Sequence, residues 1–236
     1  SLQLACFCND SGFTAIPHLS PRDDPQGVSI CKRLSTAYAL YGLREALIVS
    51  GDPVGSENVK WHGYMNYTKS FDAVHAINAV HRELILPEIC PDLKLGAAFD
   101  HNASDMDKEL YRLRWKADNR VDFFMTQIAF DAPEIDRIVS LIRPVTFRPI
   151  IVGVWPILHL KTFEAVCAGK VPGVVLSERL RAEGQSLKTD ADIRKWGTEK
   201  SLELIGKIKA DKEISGIYLV APRAKPDLII DIFRAI

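Results

Sequence analysis

Carboxylate, imidazole, amide and guanidinium groups stand where several apolar runs of this sequence end. The run Ala46–Ser50 ends at Gly51 and Asp52, and other runs end at polar residues as well: Pro17-His18-Leu19-Ser20, Phe99-Asp100-His101, Gln127 within FFMTQIAFD, and Pro222-Arg223. The carboxyl ends of parallel strands lie at one edge of a sheet, where loops converge to form binding sites. A buried amide needs hydrogen-bond partners, so Gln127 is predicted to face a polar pocket at that edge.

Each of these residues also has a plainer interpretation, which the sequence leaves open. His18 could bond a backbone carbonyl, Asp52 could cap the turn that follows it, Gln127 could be a satisfied core amide, and Arg223 could be a surface charge. His62, His75 and His81 form no grouping typical of a metal site. The five cysteines are scattered, which favours reduced thiols and a cytoplasmic protein without a metal centre.

A basic stripe is predicted on one helix. Lys108, Arg112 and Lys116 recur every four residues and therefore share a helix face. Beside a binding site they could hold the phosphates of a cofactor. Composition alone favours the simpler interpretation, a solvated face.

The elements that must position these groups alternate between apolar β-branched runs and helical patterns. The runs are nearly continuous, as expected of strands covered on both faces. Predicted strands are Leu2–Phe7, Thr14–Leu19, Ala46–Ser50, Leu93–Phe99, Asp122–Phe130, Pro149–Ile157 and Gly216–Val220. Predicted helices follow Val28 to Gly42, Val74 to Leu84, a cap at Ser104, Ile135 to Ile142, Phe163–Val166, Lys188–Ala210 and Asp227 to Ile236.

This alternation predicts an α/β fold with a parallel sheet, and a (β/α)8 TIM barrel is favoured over a doubly wound sheet because no G-x-G-x-x-G follows the first strand. We expect residues 1–236 to form a single barrel domain. Seven strands are visible, and the interval between Phe7 and Thr14 is too short for a helix. Either the N-terminal unit is abbreviated or further residues belong to it.

Composition argues against two classes of partner. Thirty basic and thirty acidic residues give a formal net charge of zero, which does not favour nucleic-acid binding. No apolar run approaches the roughly 18 residues of a membrane span. A small-molecule substrate is the expected partner.

The strand ends, in this order, resemble the methylenetetrahydrofolate reductase family of flavin-dependent barrel enzymes. The most specific stretches are SGDP and MTQIAFD, and the resemblance extends from Thr14 to Arg223 through IPHLS, LGAAFDHN, PIIVGVWPI, AGKVPGVVLSERL and GIYLVAPR. It implies hydride transfer from NADH or NADPH through FAD to 5,10-methylenetetrahydrofolate. The 5-methyl product serves one-carbon metabolism and methionine biosynthesis, and family members often form homo-oligomers.

The resemblance also implies roles for individual residues. FAD would contact Asp52 and seven further residues: His18, Ser50, Gly51, Phe99, His101, Arg112 and Lys116. Asp52 would stabilise the folate iminium cation, because a carboxylate acts more strongly on positive charge in a partly desolvated pocket than in water. Gln127, Thr162 and Arg223 would contact substrate.

The sequence departs from the family pattern at its start. SLQLACF places Gln3 where the family has the glutamate that protonates folate, and an amide cannot act as a general acid. Thr162 replaces a folate-binding glutamine, and Trp115 replaces a basic residue near FAD. The alternative function is therefore that of a non-catalytic flavin- or folate-binding relative.

Overall fold

The computed structural model describes residues 2–12, 14–19, 28–49, 90–119, 121–221, 229–230, 232 and 234. Its helices are α1 (Leu2–Asp10), α2 (Val28–Tyr41), α3 (Met106–Asp118), α4 (Ala132–Ile142), α5 (Leu160–Cys167), α6 (Glu178–Gln185) and α7 (Asp190–Ala210). Its strands are β1 (His18–Leu19), β2 (Glu45–Ile48), β3 (Lys94–Phe99), β4 (Phe123–Ala129), β5 (Ile150–Val154) and β6 (Gly216–Leu219). None of the helices described is long and apolar enough to cross a membrane.

The six strands form one sheet in the order β1-β2-β3-β4-β5-β6. The pairs β1/β2, β2/β3 and β5/β6 are parallel, with His18 opposite Leu47 and Ile151 opposite Gly216. Each strand lies beside its neighbour in the chain, unlike the strands of a doubly wound sheet, whose order reverses direction. The α/β class and the parallel sheet are confirmed for the part of the chain described.

The chain divides into two compact units. One comprises residues 1–98 and 111–124, and the other comprises residues 99–110 and 125–236. In the second unit, Ile128 of β4 packs with Phe163 of α5, Leu180 of α6 and Ile193 of α7. The even-numbered side chains at the end of β4 therefore face this helix-covered core, because side chains alternate between the two faces of a strand.

The prediction of a strand at Leu2–Phe7 is wrong, because this segment lies in helix α1. Only Ala5 and Cys6 of α1 are buried, while Leu4 and Phe7 are each 66% exposed. An apolar run this short fits a strand and a helix equally well, and neighbouring contacts decide between them. The interval between Phe7 and Thr14 is short because Phe7 lies within helix α1, so no strand precedes this interval and no crossover helix is needed there.

Strand β1 is shorter than the predicted Thr14–Leu19. Pro17 immediately precedes it and has no backbone N–H to donate to a neighbouring strand. Its carbonyl does accept a hydrogen bond of 2.9 Å from the Leu47 amide. The strand therefore begins at His18, which lies opposite Leu47.

The helix predictions that fall within the described residues hold in kind, with two corrections at the ends. Asp105, not Ser104, caps α3, since its Oδ1 accepts a hydrogen bond of 3.0 Å from the Lys108 amide. The segment predicted as Lys188–Ala210 begins at Asp190, after the Thr189 cap, and the separate helix α6 was not predicted. The predicted helix from Val74 to Leu84 lies outside the described residues, and of the helix predicted from Asp227 to Ile236 only residues 229–230, 232 and 234 are described, all of them helical.

Candidate active site

Gln127 stands near the carboxyl end of β4. Since Ile128 enters the helix-covered core, strand alternation directs Gln127 to the opposite face. The Gln127 Oε1 accepts a hydrogen bond of 2.9 Å from the Ile128 amide, which leaves the amide nitrogen pointing away from its own backbone. That Gln127 faces a polar pocket stays a prediction.

The backbone around Gln127 is held by neighbouring strands. The Thr126 hydroxyl donates 2.7 Å to the Gln127 carbonyl and accepts 3.2 Å from the Gly153 amide. Tyr218 of β6 donates 2.8 Å from its hydroxyl to the Thr126 carbonyl. Burial raises the pKa of Tyr218 to about 12, so the phenol stays protonated and can keep this bond to a higher pH than an exposed tyrosine could. Strands β5 and β6 thus fix the point from which Gln127 projects.

Gly173 gives the Gln127 amide its space. Its φ of +72° is a conformation that L side chains rarely adopt. A Cβ at this position would lie 2.7 Å from the Gln127 Nε2 and 3.7 Å from the Asp100 Oδ2. The Gln127 nitrogen therefore fills the room that a side chain at position 173 would need, and the Asp100 carboxylate lies nearby.

Sequence reasoning did not select Asp100 and Gly173 as site residues. Asp100 directly follows β3, in the same strand-end stretch as Phe99 and His101, and Gly173 belongs to a Pro-Gly turn. Both signals were present in the sequence. What joins these two residues to Gln127 is the return of the chain after α5, which spacing alone does not reveal.

His101 is fully buried and lies beside a carboxylate. Its Nε2 is 3.2 Å from the Glu134 Oε2 and 3.3 Å from the Asn102 Nδ2, while its Nδ1 has no hydrogen-bond partner among the described residues. The Glu134 Oε1 accepts from the backbone amides of Phe130 and Asp131 at 3.1 and 2.9 Å. Glu134 therefore joins the loop after β3 to the start of α4.

The basic stripe of α3 is not a uniform solvated face. Lys108 is exposed and Arg112 is half-buried, but Lys116 is only 2% exposed and donates a hydrogen bond of 2.7 Å from Nζ to the Ala98 carbonyl. The composition-based preference for a solvated face is wrong at Lys116. The number and spacing of the charged residues do not show which of them are buried.

The remaining predicted site residues have these placements. His18 begins β1, and desolvation lowers its pKa from the usual 6.5 although the residue as a whole is exposed. Phe99 ends β3 and is 1% exposed, and Thr162 lies half-buried in the first turn of α5. None of the described contacts of Gln127 involves Phe99, His101 or Thr162. Ser50, Gly51, Asp52 and Arg223 lie outside the described residues.

Gln3 lies on the exposed side of α1, not on a strand. It lines a groove of about 730 Å³ along α1 and α2, together with Phe7, Asp10, Lys32 and Arg33. Within the described chain, no group of three or more His, Cys, Asp or Glu side chains is arranged to hold a metal ion.

Comparison with known proteins identifies the family of this chain. The methylenetetrahydrofolate reductase family model matches residues 1–233. A Caenorhabditis elegans protein named probable methylenetetrahydrofolate reductase (NADPH) is 26% identical over 193 residues, which are 80% of this chain. The match covers 27% of that relative, so the chain spans about a quarter of its length.

A solved structure shares the fold at low sequence identity. It is an uncharacterized protein from Clostridium thermocellum that binds two copies of 5-methyl-5,6,7,8-tetrahydrofolic acid. The match has a TM-score of 0.56 and 15% identity, and it covers 92% of this chain and 70% of that one. With the family model matching nearly every residue, this chain belongs to the methylenetetrahydrofolate reductase family.

Proposed function

We propose that this protein binds a reduced folate at the carboxyl ends of its strands and reduces 5,10-methylenetetrahydrofolate to the 5-methyl product, with NADH or NADPH as the reductant and FAD as the cofactor. The observation that carries the proposal is the Gln127 amide. It belongs to the family-specific stretch MTQIAFD, and its nitrogen packs against Gly173, where any larger residue would collide with it. Family membership and the folate-binding structural neighbour support the same substrate class.

The proposal assigns binding roles to the chain's own residues. Gln127 donates a hydrogen bond from Nε2 to the substrate, since its Oε1 already bonds the Ile128 amide. Asp52 holds its negative charge near the iminium group of the folate, and Arg223 and Thr162 contact the rest of the substrate. These three roles come from the family resemblance. We also propose that the strands close into a (β/α)8 barrel, that residues 1–236 act as one catalytic domain, and that the protein is a cytoplasmic homo-oligomer.

The described residues fit FAD only in part. His18 is exposed and Arg112 is half-buried, so both are accessible to a ligand. Phe99 and His101 are buried, and Lys116 is buried with its Nζ donating a hydrogen bond to the Ala98 carbonyl. A cation that binds a cofactor phosphate needs an accessible ammonium or guanidinium group. We therefore assign FAD binding chiefly to His18, Arg112 and the segment 50–52.

A second candidate function is favoured by the position of Gln3. The family's proton donor has no counterpart there, since Gln3 is an amide on the exposed side of a helix. A relative without that acid could still bind a flavin or a folate as a sensor or carrier. This candidate predicts ligand binding without turnover.

Two measurements on the purified protein separate these functions. Flavin absorbance bands in the protein as isolated would support cofactor binding in both. Bleaching of the bands by NADH or NADPH, with recovery on adding 5,10-methylenetetrahydrofolate, is expected of the reductase alone. Bleaching without recovery would favour the second candidate, and a colourless protein that binds no added FAD would contradict FAD dependence.

The Gln127→Ala variant tests the residue that carries the proposal. It should bind folate at least tenfold more weakly, because the substrate loses a hydrogen-bond donor in a partly buried site. Gln185→Ala is a suitable control, since Gln185 is the exposed last residue of α6. Equal folate affinity in the wild type and both variants would contradict the proposed site.

A further inference from the structure

A buried carboxylate, Asp131, joins the end of β4 to the segment before α6. Asp131 is 6% exposed and directly follows Phe130 at the end of the apolar run. Its Oδ2 accepts a hydrogen bond of 3.1 Å from the Ser177 hydroxyl, and its Oδ1 accepts one of 2.6 Å from the Arg179 Nη2. Both donors follow Gly173 in the chain, so one carboxylate ties two distant segments together.

The same two segments also meet at their other ends. Gly173 packs against the Gln127 amide, since a Cβ at position 173 would lie 2.7 Å from Nε2. Between these contacts, Val174 and Leu176 enter the same buried core as the end of β4. The segment 173–177 is therefore fixed to β4 by an amide contact at one end and a carboxylate at the other, all within one compact unit of the fold.

Arg179 supplies the counter-charge of this carboxylate. A buried carboxylate without an opposite charge is unfavourable, because burial removes the water that would otherwise solvate it. The Arg179 side chain is 49% exposed and also donates a hydrogen bond of 2.8 Å to the Glu183 Oε1. Without Arg179, the Ser177 hydroxyl would be the remaining side-chain donor to Asp131 within the described part of the chain.

We propose that Arg179 is a positioning residue for the candidate substrate contact at Gln127. This inference rests on the proposed folate-binding function. By neutralising Asp131, Arg179 holds the segment 173–177 against the end of β4. Gly173 in turn keeps the Gln127 side chain in the orientation that its Oε1 hydrogen bond sets. A side chain that is already ordered lowers the entropic cost of binding a ligand.

The Arg179→Met variant tests this role, because it keeps an unbranched apolar stem and removes the charge. Isothermal titration of the FAD-saturated protein should show 5-methyltetrahydrofolate bound about tenfold more weakly, since Gln127 must then be ordered on binding. Arg179→Lys keeps a positive charge beside Asp131 and should recover most of the affinity. Arg137→Met, which removes an exposed arginine of α4, is the matched control and should bind as tightly as the wild type.

A double-mutant cycle shows whether Arg179 acts through Gln127. In the Gln127→Ala background, Arg179→Met should weaken binding by less than about twofold, because the side chain that it positions is absent. An equal fold-loss of affinity with and without Gln127 would overturn the inference. Wild-type affinity in Arg179→Met would overturn it as well.

The side-chain amide of Gln127 provides a measurement that needs no folate. Its NH2 signals in a proton–nitrogen correlation NMR spectrum are those that Gln127→Ala removes. They should shift or broaden in Arg179→Met and keep their positions in Arg137→Met, and unchanged signals in Arg179→Met would contradict the positioning role.

The outcomes separate this inference from the function on which it rests. A wild type that binds no 5-methyltetrahydrofolate would contradict the proposed folate function, and the NMR spectrum would then decide alone whether Arg179 holds the Gln127 side chain. If Arg179→Met does not fold, Arg179→Gln takes its place in each measurement, with the same expected direction of change.

Discussion

Gly173 is the residue on which the geometry of the candidate site depends most directly. In Gly173→Ala the new methyl group would displace the Gln127 amide, and alanine at a φ of +72° is strained by roughly 1 kcal/mol. We expect folate affinity to fall at least tenfold, a larger effect than the loss of stability explains. Calorimetric titration with folate and thermal unfolding of the same samples measure the two effects.

A glycine with the same backbone strain and an open environment provides the control. Gly169 has a φ of +68°, but nothing lies within 4 Å of the position of its Cβ. Gly169→Ala should lower stability by a similar amount and leave folate affinity unchanged. Equal losses of affinity in the two variants would mean that strain, and not collision with Gln127, is responsible.

The family resemblance predicts that Asp52 stabilises the iminium cation of the folate. We expect Asp52→Asn to bind FAD with unchanged stoichiometry but to reduce 5,10-methylenetetrahydrofolate about 10²-fold more slowly, because a neutral amide stabilises the iminium cation less than a carboxylate does. Stopped-flow measurement of the oxidation of the reduced enzyme by the folate checks this. Wild-type rates in both half-reactions would remove the proposed role.

At single residues, the sequence shows where a polar group needs partners. Gln127 interrupts an apolar strand, which predicts hydrogen bonds for its side chain, and its Oε1 does bond the Ile128 amide. It failed where tertiary contacts decide: Lys116 looks like a surface charge, yet it is buried against the Ala98 carbonyl. Asp100 directly follows a strand, but its neighbour Gly173 is 73 residues away in the chain and was not foreseeable.

Among the elements, helix α7 packs closely against the loop after β5 at Gly197. A Cβ on Gly197 would collide with the backbone carbonyl of Ile157, which no side-chain rotation can relieve. We expect Gly197→Ala to destabilise the protein by about 3 kcal/mol or more, since α7 would have to shift away from the loop after β5. Urea unfolding followed by circular dichroism measures this free energy.

The same helix contains a matched control. Gly206 is exposed, and nothing lies within 4 Å of the position of its Cβ. Gly206→Ala should stabilise the protein by about 0.5–1 kcal/mol, because alanine has the higher helix propensity. A similar change in both variants would show that helix propensity, and not packing on Ile157, dominates at position 197.

The reliability of the element predictions followed the length of each pattern. The apolar positions Ile135, Ile138 and Ile142 recur over a full helix, and all three are buried in α4. The run Leu2–Phe7 is too short to distinguish periods of 2 and 3.6, and it forms a helix. The separate helix α6 was missed because it buries only Leu180 and Gly184 and has little apolar pattern to detect.

For the whole molecule, the alternation of strands and helices was sufficient to predict the α/β class and a parallel sheet. The order β1 to β6 adds that each strand pairs with its neighbour in the chain, which alternation alone does not determine. Closure into an eight-stranded barrel depends on strand pairings that no local pattern encodes. It therefore stays a prediction.

The pH dependence of stability provides a test on the intact chain. Burial raises the pKa of Tyr218 to about 12, above the ordinary 10, so the folded protein retains this proton at a pH where the unfolded chain loses it. The stabilising contribution is therefore complete below pH 10 and decreases as the pH rises toward 12, by about 1 kcal/mol at pH 11. Urea midpoints between pH 8 and 11 should fall more steeply in the wild type than in Tyr218→Phe.

Two lysines complicate the alkaline range in the same direction. Hydrogen bonds to Glu203 and Asp136 raise the pKa values of Lys200 and Lys207, so these ion pairs also weaken as the pH rises, in the wild type and in every variant. The difference between the wild type and Tyr218→Phe isolates the phenol. Tyr111→Phe, which removes an exposed phenol, should retain the wild-type slope. Parallel pH curves for all three proteins would mean that the pKa of Tyr218 is not raised in the folded chain, and would contradict the burial of its phenol against β4.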